Sequence, residues 1–149
     1  MGKPSFSKAD QALIVSAIQA AEKESSGEIR VHVEPTCKLD PIERAKEVFY
    51  QLKMNSTELK NGVLIYVATE DRKIAILGDS GIHDRVGDNF WKEELEGMRN
   101  HFGSGNYAAG LSEAILHVGL KLKAHFPYQS NDTNELSNEI SFGEGTKHE

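Results

Sequence analysis

A chain of 149 residues, 38% hydrophobic and 27% charged, has the size and composition of one folded core, which excludes a disordered chain and calls for no second domain. A formal charge of −6 excludes a broad nucleic-acid surface, which rests on clustered Lys and Arg, and makes cations the charged partners to expect. No apolar run approaches the ~20 residues that cross a bilayer, and the start Met1-Gly2-Lys3-Pro4 lacks a secretory apolar stretch, so the expectation is no membrane insertion, no export and a cytoplasmic address.

Ser7-Lys8-Ala9-Asp10 has the spacing of a capping box, and Leu13, Ile14, Ala17, Ile18 and Ala21 follow at helical intervals. The spacing predicts a helix that ends near Ser25-Ser26-Gly27, where glycine accepts the backbone geometry of a helix terminus. Glu28-Ile29-Arg30-Val31-His32-Val33-Glu34 then alternates polar and apolar, the pattern of a strand covered on one face. Asp40-Pro41 supplies an N-cap and an N1 proline for a second helix, with Ile42, Ala45, Phe49 and Leu52 as its buried stripe and an end near Lys53.

Val63-Leu64-Ile65-Tyr66-Val67-Ala68 is a short continuous apolar run, the mark of a central strand. Thr69-Glu70-Asp71-Arg72 turns it into Lys73-Ile74-Ala75-Ile76-Leu77-Gly78 as an antiparallel hairpin. Residues 79–88, rich in Gly and Asp, are expected as a loop; Trp91, Leu95, Met98 and Phe102 then mark a third helix, broken by Gly103-Ser104-Gly105. A fourth helix carries Tyr107, Leu111, Ile115, Val118 and Leu122 on one face, with Gly110 and Gly119 placed for close packing. The reading is one α/β domain over 1–127, a three-layer α/β/α sandwich with a small mixed sheet, followed by a polar, disordered tail over 128–149.

Chain direction gives this pattern functional content. A right-handed crossover makes the first two strands parallel and the hairpin reverses the third, so Glu28, Asn61-Gly62 and Gly78-Asp79 share one end of the sheet. The loop leaving that end adds Asp84 and Asp88, and four acids on one rim suit a hard cation, Ca²⁺ with Mg²⁺ as the alternative. The competing reading has these acids keeping a loop soluble, with Asp88 as N-cap of the next helix and Asp84 as a turn former. At the opposite end Glu34, Glu70 and Asp71, set against Arg72 and Lys73, are expected as an ordinary solvated turn.

Other chemistries find less support. Cys37 is the only cysteine, without an activating context; Ser80 lacks the flanks of a nucleophile elbow; and no HExxH pair, GxxxxGK[ST] loop or GxGxxG fingerprint is present. The histidines are expected as structural or surface residues.

Several segments together resemble the TPM domain family: Ser26-Gly27-Glu28-Ile29, Asn61-Gly62-Val63-Leu64-Ile65, Asp71-Arg72-Lys73-Ile74-Ala75-Ile76, Gly78-Asp79-Ser80-Gly81-Ile82 and Phe102-Gly103-Ser104-Gly105-Asn106-Tyr107-Ala108-Ala109-Gly110-Leu111. The resemblance covers roughly residues 7–125. It implies a mixed sheet between helices and a divalent-metal site at a sheet edge, in a stand-alone domain where many relatives are exported or membrane-anchored. Plant relatives are associated with acid phosphatase activity and photosystem repair. This chain carries Gly78-Asp79-Ser80-Gly81-Ile82 in place of the common G-x-G-L-E form. Three functions therefore enter: a cation-binding module that orders residues 78–88 for a protein partner, a metal-assisted acid phosphatase acting on phosphomonoesters, and a structural adaptor whose acidic rim is incidental.

Overall fold

The computed structural model describes residues 6–128 and 140–143. In chain order it contains α1 (Lys8–Lys23), β1 (Glu28–Glu34), α2 (Pro41–Gln51), a short 3₁₀ turn (Met54–Ser56), β2 (Gly62–Ala68), β3 (Lys73–Gly78), α3 (Ser80–Gly103), α4 (Tyr107–His125) and β4 (Ser141–Phe142). The strands form one mixed sheet in the order β3-β2-β1-β4. β1 and β2 run parallel with Glu28 opposite Gly62, and β3 returns antiparallel with Gly78 opposite Val63.

Local signals start each element as their chemistry requires. Ser7 and Asp10 form the reciprocal capping box of α1, and Asp40 accepts from the Ile42 N–H at 2.9 Å ahead of Pro41. α2 stops at Gln51 because Lys53 takes a left-handed conformation, φ 59°, that no helix interior accommodates.

The sheet is covered on both faces. Ile29, Val31, Val33, Val63, Ile65 and Val67 pack with α1, α3 and α4 in one core, while Leu64, Tyr66 and Ala75 pack with Val48, Phe49 and Met54 in the other. Each buried Val, Ile or Leu side chain contributes roughly 1.5–3 kcal/mol, so this layered burial dominates the stability. α1 and α4 approach closely because a Cβ on Gly119 would stand 2.7 Å from the Ala21 Cβ.

Two expectations change. Residues 79–88 are not a loop: Asp79 caps α3, which begins at Ser80 and kinks at Gly87, φ 78° and ψ 173°. Ile82 and Val86 supply a helical stripe here, and Gly81 serves contact rather than looping, since a Cβ would lie 2.2 Å from the Leu59 carbonyl oxygen. β1 is covered on both faces rather than one: Arg44 from α2, Tyr66 from β2 and the 141–143 segment close over His32 and Glu34, which are buried. The expected tail, 128–149, falls mostly outside the described residues, but within it Ser141 and Phe142 pair in parallel with His32 and Val33. Among the described residues no helix is long and apolar enough to cross a membrane.

Candidate functional site

At the end of the sheet where β1 and β2 begin, Glu28 is buried opposite Gly62, and its N–H donates to the Asn61 carbonyl at 3.4 Å. The Asp79 N–H donates to the Gly62 carbonyl at 2.9 Å. Glu28 and Asp79 therefore flank a residue without a side chain, at the shared rim that chain direction required. Asp79 Oδ1 accepts from the Ser80 N–H at 2.8 Å, whereas its Oδ2 is shielded from solvent and makes no hydrogen bond. A buried carboxylate oxygen in that state costs on the order of 1–3 kcal/mol and is a natural ligand for a cation.

The other two acids stand apart from this pair. Asp84 and Asp88 are exposed on α3, on either side of the Gly87 kink. Asp88 Oδ1 lies 3.5 Å from His83 Nε2, and His83 Nδ1 accepts from the Trp91 indole N–H at 3.0 Å. Among the described residues no three His, Cys, Asp or Glu side chains converge closely enough to hold a metal ion. The structure thus brings Glu28 and Asp79 to one rim and leaves Asp84 and Asp88 on the neighbouring helix.

Sequence reasoning missed further oxygens at this rim. Glu22 Oε2 accepts from the Ile29 N–H at 2.7 Å, while Oε1 is buried with no partner. Burial pushes the Glu22 carboxyl up to about 8; the Ile29 bond opposes this and the Glu28 charge adds to it. Asn61 is buried, with Nδ2 donating to the Ser26 carbonyl at 3.2 Å and Oδ1 unsatisfied, and the buried Thr57 hydroxyl is unsatisfied as well. The signal for Glu22 was present: it falls four residues after Ile18, on the stripe that α1 buries.

The opposite end of β1 corrects the expected solvated turn. Glu34 is buried and its carboxylate accepts from Arg44 Nε at 2.8 Å, Arg44 Nη2 at 2.9 Å, His32 Nε2 at 2.9 Å and the Tyr66 hydroxyl. Burial pushes its carboxyl up, but the hydrogen bonds of Arg44, His32 and Tyr66 and the Arg44 charge outweigh it and hold the group at about 2. Desolvation and the Glu34 bond push the Tyr66 phenol up. β4 closes this network: Ser141 Oγ hydrogen-bonds His32 Nδ1 at 2.9 Å, and a Cβ on Gly143 would stand 2.6 Å from Glu34 Oε1. Glu70 and Arg72 are exposed, but Asp71 accepts from the Cys37 N–H at 2.7 Å and so ties the hairpin to the segment after β1. Cys37 is buried, its thiol directed to the Leu39 carbonyl.

Comparison with known proteins adds the following. The TPM domain profile matches residues 4–120. The solution structure of the BA42 protein from the psychrophilic bacterium Bizionia argentinensis is 45% identical, with a TM-score of 0.87 over 96% of this chain and 100% of that one. The N-terminal domain of a P. gingivalis protein is 24% identical, with a TM-score of 0.65 over 83% of this chain and 82% of that one. The N-terminal domain of the cg2496 protein from Corynebacterium glutamicum is 17% identical, with a TM-score of 0.61 over 97% of this chain and 84% of that one. The last two are likenesses of fold alone. No curated protein matches the chain.

Proposed function

The chain belongs to the TPM domain family, and we propose that it serves there as a divalent-cation-binding module, taking Ca²⁺ with Mg²⁺ as the alternative. The reading rests on one observation: Asp79 Oδ2 is shielded from water and has no hydrogen bond, and Asp79 sits across β2 from the buried Glu28. A hard cation accepts oxygen ligands in irregular geometry, so it satisfies such an oxygen without requiring a fixed cage.

Asp79 and Glu28 hold the ion at the rim. Asp84, before the Gly87 kink, and Asp88, just after it, join them when α3 flexes at that kink to meet the charge. Because the four carboxylates start apart, binding includes a reorganisation cost, and an affinity on the order of 10⁻⁴ M is expected rather than that of a rigid buffer site. Ordering of the α3 start then presents that surface to a protein partner.

Calorimetric titration tests the reading. Wild type binds Ca²⁺ saturably, and Asp79→Ala combined with Asp84→Ala abolishes the heat while the fold is retained by circular dichroism. Equal heats from wild type and the double variant would remove these residues from the site. Phosphate release by the Ca²⁺- or Mg²⁺-loaded chain, lost in the same variant, would move the function to metal-assisted phosphomonoester hydrolysis.

A further inference from the structure

A second site lies at the far end of the sheet from the carboxylate rim. The β2–β3 hairpin tip and the turn between α3 and α4 enclose a cleft of about 410 Å³, lined among others by Arg72, Arg99, Phe102, Gly103, Gly105 and Tyr107. Two segments some thirty residues apart in the chain, around 71–74 and 102–107, thus line one concavity. We propose that this cleft binds a small organic oxyanion, a flat apolar body carrying one carboxylate or phosphate-type head.

Four features support that chemistry. Arg72 and Arg99 are both exposed, and the ion pair Arg99 makes among the described residues, with Glu96 at 3.5 Å on the same helix, is a contact a ligand oxyanion displaces readily. Arg forks match carboxylate and phosphate oxygens in pairs of hydrogen bonds, which gives the head its place. Tyr107 is the first residue of α4 and lines the cleft, and Asn106, the N-cap, makes no side-chain capping hydrogen bond, so the uncapped positive end of a 19-residue helix borders the cleft. Gly103 and Gly105 leave open space where a Cβ would stand, and Phe102 against Tyr107, ring centroids 4.6 Å apart, supplies an aromatic wall for the body.

Arg72 adopts φ 55°, a left-handed position that glycine fills without strain. Lys53 and Lys60 adopt it too, so the turn sets this backbone and what singles out Arg72 is its place on the cleft. Of its acidic neighbours, Asp71 is engaged elsewhere through Cys37, and Glu70 is exposed. Thr69 also lines the cleft, and its hydroxyl makes no hydrogen bond, so turning it toward a ligand breaks none.

The test is an amide-shift titration of the full chain with phenylphosphonate and, separately, phenylacetate, neither of which carries a hydrolysable head. Saturable shifts are expected at residues 69–74 and 99–107 with at least one of the two, and the better probe identifies the head. Inorganic phosphate and benzyl alcohol, head and body alone, bind at least about tenfold more weakly. Arg72→Gly and Arg99→Gln each weaken binding about tenfold or more. Glycine suits the left-handed position, so Arg72→Gly melts no lower than wild type, and its loss of binding reads the guanidinium alone. No saturation by either probe at about 10 mM, shifts located elsewhere, or unchanged affinity in both variants overturns the proposal.

Discussion

The two ends of β1 both bury a glutamate and treat its neighbourhood in opposite ways. At Glu34 every lone-pair direction is met: Arg44, His32 and Tyr66 all donate, and β4 shuts water out. Around Glu28 one carboxylate oxygen each of Asp79 and Glu22, the Asn61 side-chain oxygen and the Thr57 hydroxyl are buried without a hydrogen bond. A satisfied charge locks a structure, whereas unsatisfied oxygens gathered at a rim store a cost that a cation can relieve. The two ends of one strand therefore have different roles, and the difference lies in whether the polar atoms around each buried acid have partners.

The contrast is broken most severely at the satisfied end. Glu34→Gln removes the carboxylate that pairs with half-buried Arg44, which keeps only Glu47, and is expected to lower stability by about 2–3 kcal/mol in urea unfolding at about pH 7. Its sign with pH follows from the depressed carboxyl, whose contribution is complete above the unfolded value of 4.5 and disappears as pH falls toward about 2. The gap between wild type and Glu34→Gln should thus narrow from about pH 6 to pH 3. A constant gap would mean that the loss is steric.

At the unsatisfied end the sign reverses and the effect is smaller. Glu22 is raised to about 8, so its favourable contribution is complete below 4.5 and is lost as pH climbs through 8. Glu22→Gln, which mimics the protonated acid, should match wild type near pH 4.5 and exceed it by on the order of 1–2 kcal/mol at about pH 9. Parallel pH–stability curves would show that Glu22 is solvated like a surface acid.

This contrast was only half legible in the sequence. Strand direction placed Glu28, Gly62 and Asp79 at one end because the crossover and the hairpin each have one outcome. The helical stripes and caps of α1 and α2 were equally plain. Glu34 was misread because its partners come from α2 and β2, 10 and 32 residues away, and only tertiary packing brings them to it. β4 is two residues long and carries no periodicity to detect. The start of α3 was hidden by Gly81 and Gly87, one of which allows a backbone to pass and the other of which breaks the helix.

The most direct test compares both ends in a single spectrum, by following backbone amide shifts during addition of Ca²⁺ to about 10 mM. The account predicts saturable shifts at residues 22–29, 57–62 and 79–88, with the amides of Glu34, Arg44 and Tyr66 unmoved. A flat titration, or shifts centred on Glu34, Glu70 and Asp71, would contradict it.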